Sequence, residues 1–95
     1  MSNTTGARYY AQALYPLISD HYIEALSELK GLRDALAADK RFLNFINHPL
    51  FSPEQKRNVL FKAMGAGVHP EVERFILLLI ERRKINLIPG IITHL

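Results

Sequence analysis

Pro70-Glu71-Val72-Glu73-Arg74-Phe75-Ile76-Leu77-Leu78-Leu79-Ile80-Glu81-Arg82-Arg83-Lys84 is the stretch on which the fold turns. Stepped at about 100° per residue, its apolar positions cover almost the whole circumference, leaving a narrow polar strip around Arg74 and Glu81. A helix this apolar is either the buried centre of a bundle or a helix whose second face awaits a partner. The run Phe75 to Ile80 is far shorter than the roughly 20 residues that cross a bilayer, so no direct membrane insertion is expected. Glu71 and Glu73 fall in the first turn and Arg82, Arg83 and Lys84 in the last, both favourable to the helix dipole. The rest of the chain is read by asking what covers this helix, and whether it covers all of it.

Upstream, Ser52-Pro53-Glu54-Gln55 is a helix start with a mechanism. Ser52 caps, Pro53 suits the first helical position, and Gln55 closes a capping box. The helix that follows turns Val59, Leu60 and Met64 inward with Phe61 beside them, and stops at Gly65-Ala66-Gly67. Asp39 caps a short helix carrying Phe42, Leu43, Phe45 and Ile46, which ends at Asn47-His48-Pro49 because proline pushes its predecessor out of helical geometry. Tyr22, Leu26, Leu29, Leu32 and Leu36 repeat every three to four residues and predict a helix over 22–37. Gly31 within it costs about 1 kcal/mol against alanine, which points to close helix contact there.

At the start of the chain, residues 1–6 read as a flexible polar tail, with Thr4 or Thr5 capping a first helix from Ala7. Ala7, Ala11, Leu14 and Ile18 form one apolar stripe, and Tyr10, Ala13 and Leu17 a second, about 60–120° to one side. Two stripes are more than a single core contact requires. Pro16 predicts a kink. At the other end, Pro89 starts a helix to Leu95 of less than two turns. Ile91, Ile92 and Leu95 close the chain without a polar tail, as expected if the chain continues or is a trimmed domain. No stretch reads as a strand. The expected fold class is all-α, a compact bundle of five to six helices in one domain.

Composition narrows the function. In 95 residues, 48% hydrophobic and 22% charged, there is no cysteine, which excludes a disulfide framework and thiolate metal ligation. A net charge of +3 is spread along the chain rather than gathered in one basic block, a poor footprint for nucleic acid. His21, His48, His69 and His94 sit at helix boundaries or the chain end without metal-ligand spacing, and read as caps or surface residues. Ser19, Ser27 and Ser52 lie beside no base or oxyanion turn. No catalytic residue, cofactor or metal is expected. No basic or apolar leader precedes the first helix, so the chain is expected to stay in the cytosol.

Four segments in register carry a family resemblance. Ala7-Arg8-Tyr9-Tyr10-Ala11-Gln12-Ala13-Leu14-Tyr15 resembles the opening motif of the δ subunit of F-type ATP synthase, called OSCP in mitochondria. Phe42 to Leu50, Ser52 to Lys56, and Phe75 to Glu81 with Leu87-Ile88-Pro89 agree in order and spacing. The resemblance runs over 7–95 and covers only the family's N-terminal half. The C-terminal half, through which the family engages the b-subunit stalk, has no counterpart. Proline at position 16 is unusual for the family. Asn-Gly commonly stands where Arg82-Arg83 stand here, so the turn after the fifth helix is expected to differ.

The resemblance implies a non-catalytic, six-helix domain on the F1 head. It would hold the amphipathic N-terminal helix of an α subunit between its first and fifth helices, helping the peripheral stalk resist rotation. The location implied is the cytoplasmic face of a bacterial inner membrane, or the organellar equivalent, with the isolated domain a monomer. On the fifth helix Val72, Ile76, Leu79 and Ile80 form the core stripe, with Phe75 and Leu78 to one side and Arg82 between them. Packed against the first helix, they leave Tyr10, Ala13 and Leu17 facing Phe75, Leu78 and Arg82 across a shallow groove, with Leu14 and Leu79 completing the set. The alternatives are that these residues merely complete the core, that the domain is a generic adaptor for another amphipathic helix, or that it is a small basic nucleic-acid binder. The last predicts binding that weakens steeply with salt.

Overall fold

Capping chemistry sets where the helices begin. The structure, a computed structural model, describes residues 2–65 and 67–95, the first four by backbone alone. Ser52 Oγ accepts from the Gln55 amide at 3.1 Å while Gln55 Oε1 accepts from the Ser52 amide at 2.9 Å, closing the capping box. The Asp39 carboxylate accepts from the Arg41 amide at 2.9 Å. These caps open two of the six α-helices found among the described residues: α1 (Ser2–Ile18), α2 (Tyr22–Ala38), α3 (Lys40–Asn47), α4 (Pro53–Met64), α5 (Pro70–Glu81) and α6 (Ile88–His94). Short 3₁₀ turns at Ser19–His21 and Ile85–Leu87 join α1 to α2 and lead into α6. No strand occurs among the described residues.

The apolar periods converge on one core. Leu14 and Ile18 of α1, Leu29 and Leu32 of α2, Ile46, Leu60, and Val72, Ile76 and Leu79 of α5 are all essentially inaccessible to water. Ile85, Ile88 and Ile91 join them from the chain's end. The radius of gyration is 12.5 Å, against about 12.4 Å expected of a compact chain this long. Lys56 is the one buried charged residue among those described, a position that long lysine stems tolerate.

Several expectations are corrected. Helix α1 begins at Ser2 rather than Ala7, so the backbone of 2–6 is helical rather than a tail, and Thr4 and Thr5 lie inside the helix instead of capping it; Met1 lies outside the described residues. Pro16 stands in the last turn of α1, which passes into the 3₁₀ turn three residues later. Val59 points outward, 42% exposed, while its neighbour Leu60 is fully buried in the core. Gly65 ends α4 with φ of 88°, a conformation natural to glycine; Ala66 of the expected stop lies outside the described residues.

The end of α5 departs in an informative way. The helix stops at Glu81, so Arg82, Arg83 and Lys84 follow it rather than form its last turn. The Lys84 amide donates to Leu79 O at 2.7 Å and the Arg83 amide to Ile80 O at 3.1 Å. That pairing is a Schellman closure, and Arg83 supplies its left-handed residue with φ of 56°. Glycine is the usual occupant, and an L side chain there costs on the order of 1 kcal/mol.

The close helix contact expected at Gly31 is elsewhere. A methyl group added at Gly31 would meet nothing, whereas one at Gly90 would lie 2.9 Å from the Ala7 Cβ. Helix α6, short as it is, packs along α1 more extensively than any other pair of elements. Gly90 and Ala7 let the two backbones approach.

Candidate functional site: the groove between α1 and α5

Helices α1 and α5 pack by the stripes that carry Leu14, Ile18, Val72, Ile76 and Leu79, all fully buried. Beside that seam a groove of about 310 Å³ stays open to solvent. The volume takes a row of side chains but not a whole helix, so a visitor would lie along it and insert one face. Its α1 wall is Tyr9, Tyr10, Ala13, Leu14 and Leu17, and its α5 wall is Glu71, Arg74, Phe75, Leu78 and Arg82.

Seven of the eight sequence-derived residues meet here. Leu17, 57% exposed, and Leu78, 36% exposed, are large apolar side chains left in water, and Ala13, four residues before Leu17 on α1, is exposed as well. Tyr10 and Phe75 sit deeper, at 8% and 7% exposure, because their rings meet edge to face with centroids 6.2 Å apart. They form the deep part of the two walls. Leu14 lies beneath the groove, fully buried. Leu79 is the correction: it is wholly inside the core and does not line the groove. On a narrow helix the core stripe and the groove stripe lie one residue apart, and Leu79 falls on the core side.

Three lining residues escaped the sequence reading. Tyr9 packs edge-on against Tyr10 at 5.5 Å. Glu71 and Arg74 flank the far end. Glu71 stands four residues before Phe75, a spacing that puts both on one face of α5 and that could have identified it.

The groove is polar only at its ends. Arg82 Nη1 donates to the Tyr10 hydroxyl at 3.3 Å, which pushes the arginine's pKa further up and holds the cation over the rim. At the other end Glu71 Oε2 is 3.7 Å from His21 Nε2. His21 and His69 stack there with ring centroids 4.2 Å apart and planes 11° from parallel. Neither is a side-chain cap or a free surface residue: His21 Nδ1 pairs with Asp20 at 2.8 Å, and Glu28 takes both the His69 amide and its Nδ1, at 3.1 and 2.7 Å. Glu28, from α2, does the capping of α5 that the His69 side chain does not.

The Glu28 hydrogen bond raises the His69 pKa above its ordinary value, reinforced by the charges of Glu28, Glu71 and Glu24 and opposed by burial. A raised folded-state pKa means the stabilisation is complete below the unfolded value and is lost as pH rises through the folded one. Thermal stability is therefore expected to fall as pH rises from the ordinary histidine value of 6.5 through the raised folded-state pKa. His69→Gln should flatten that slope in a pH series of melting curves; an unchanged slope would show that another group titrates.

A larger hollow of about 710 Å³ lies against α4 and the start of α5, lined by Arg57, Phe61 and Glu73 among others. Arg57 is already engaged there: it pairs with Glu73 at 2.8 Å and lies over the Phe61 ring. Among the described residues no group of three or more His, Asp or Glu side chains is placed to hold a metal.

By fold and by site, this is an all-helical domain with an apolar groove open between two of its helices. The chain belongs to the ATP synthase delta (OSCP) family, whose description "ATP synthase delta (OSCP) subunit" matches residues 7–95. It is 37% identical over 84 residues to the ATP synthase subunit delta of Synechococcus sp. (strain PCC 6716), covering 86% of this chain and 46% of that one. It is 34% identical over 87 residues to that of Desulforamulus reducens (strain ATCC BAA-1160 / DSM 100696 / MI-1), covering 90% and 48%. For Lysinibacillus sphaericus (strain C3-41) the figures are 35% over 88 residues, covering 90% and 49%. The chain thus spans about half the length of the curated relatives it matches.

Proposed function

We propose that this chain is a non-catalytic domain of a proton-driven ATP synthase. Its α1–α5 groove receives the amphipathic N-terminal helix of an F1 α subunit. In that role it ties the peripheral stalk to the catalytic head and helps hold the head against rotation. The observation that carries the reading is the pair of large apolar side chains, Leu17 and Leu78, left in water on facing walls of one groove. Family membership makes the α-subunit helix the first occupant to test. No helix among the described residues is long and apolar enough to cross a membrane. The domain would reach the cytoplasmic face of the membrane as a peripheral part of the complex, with the b-subunit stalk engaged through the family's C-terminal half.

The test is titration of the isotope-labelled chain with a synthetic peptide of the cognate α-subunit N-terminus, read by amide chemical shifts. Shifts concentrated on α1 and α5, changing little with salt, are expected. Shifts centred on α3 or α4 would overturn the proposal. A nucleic-acid surface would instead bind an oligonucleotide, with an affinity that falls steeply with added salt.

A further inference from the structure

The groove has a charge order along its length. Glu71, Phe75, Leu78 and Arg82 stand at i, i+4, i+7 and i+11 and all line it, so they form one stripe about 16 Å long, three turns of helix. Arg74, exposed and about 70° off that stripe, lines the same end as Glu71, so that end carries both signs of charge and the Arg82 end a net positive one. On the facing wall Tyr10, Ala13 and Leu17 repeat at i, i+3 and i+7. Two contacts show that the walls run antiparallel: Arg82 meets Tyr10 at one end, and Glu71 meets His21, just past the end of α1, at the other. Arg82's hydrogen-bond partner is a neutral phenol, and among the described residues the arginine makes no ion pair.

Resting on the groove's role as a helix site, we infer that the visiting helix carries a carboxylate in its first turn. It docks with its N-terminal turn over Tyr10 and Arg82, antiparallel to α5. The carboxylate follows from complementarity with Arg82, whose end of the groove holds no acid. The direction follows from the visitor's own stability. A helix favours acids in its first turn and bases in its last, because they oppose its macrodipole. A visitor with the reverse order would match the groove in the other direction only by working against its own dipole. The dipole alone, with C-terminal carbonyls on Arg82, would favour the opposite direction, but it amounts to about half a charge against a full side-chain charge. Antiparallel alignment with α5 also sets the two helix dipoles against each other.

Direction is read with a nitroxide placed at either end of the α-subunit peptide. The N-terminal label is expected to broaden the amide signals of Tyr9, Tyr10 and Arg82, and the C-terminal label those of Leu17, His21 and Glu71. The reversed pattern overturns the inference while leaving the groove's role intact. Broadening away from both helices, or no binding, removes that role and the inference with it. Arg82→Glu should weaken the peptide about fivefold at low salt. A peptide whose first-turn acid is replaced by lysine should recover that loss on the variant but not on the unaltered chain. Equal affinity of both peptides for both chains would also overturn the inference.

Discussion

Leu78→Glu is expected to leave the bundle folded and to abolish capture of the α-subunit peptide. At 36% exposure Leu78 already faces water, so a carboxylate there stays solvated in the free domain. On docking, the same carboxylate would be drawn under an apolar helix face, a penalty of several kcal/mol per ion that Arg82, one turn on, offsets only in part. Every 1.4 kcal/mol is tenfold in affinity, so weakening of roughly a hundredfold or more is expected. Ala13→Glu should act alike, since Ala13 is exposed on the facing wall. Ile76→Glu is the contrast: that side chain is fully inside the core, and its replacement should unfold the domain. Circular dichroism separates the cases, and calorimetry with the peptide reads the binding. If Leu78→Glu and Ala13→Glu both unfold, the exposed stripes belong to the core. If both bind normally, the groove is not the site.

The second large effect concerns stability. Gly90→Ala places a methyl carbon 2.9 Å from the Ala7 Cβ. Both carbons are fixed to their backbones, so no rotamer change relieves the clash and α6 must move off α1. Overpacking of this kind costs about 1–3 kcal/mol, a sizeable share of the 5–15 kcal/mol that holds an ordinary domain. With about 4–8 °C per kcal/mol for a chain this size, the melting temperature should fall by roughly 5–20 °C. Ala7→Gly in the same chain restores the space and should recover part of the loss, despite its own cost in helix propensity. Gly31→Ala should instead raise stability by about 0.5–1 kcal/mol, because nothing lies near the added methyl. Thermal unfolding of the three variants checks both signs. A Gly90→Ala chain as stable as the original would show that α6 does not bear on the bundle.

Local chemistry explains why most of the fold was legible in the residues. Ser52 with Gln55, and Asp39 before Lys40, act within one helical turn, so their roles can be read without knowing what packs above them. The core stripe Val72, Ile76, Leu79 and Ile80 follows from a period of 3.6, and all four are buried as that period requires. The same reasoning failed where geometry in three dimensions chooses between neighbours. Val59 and Leu60 are equally apolar, yet only Leu60 meets the core. Gly31 and Gly90 look alike in the chain, and only Gly90 lies at a crossing.

The sequence by itself determined that this is an all-helical domain, where most of its helices begin, and that α1 and α5 each carry one apolar stripe too many. Helix periods and caps are properties of a few adjacent residues, which is why they survive without tertiary information. Only the tertiary structure decided how much of each spare stripe is covered. Tyr10 and Phe75 bury one another across the α1–α5 seam, while Leu17 and Leu78 remain in water. Contacts spanning great lengths of chain set the ends of the groove: Arg82 to Tyr10 is 72 residues apart, and Glu28 to His69 is 41. Such pairings depend on which helices are neighbours and at what angle, information no single helix contains.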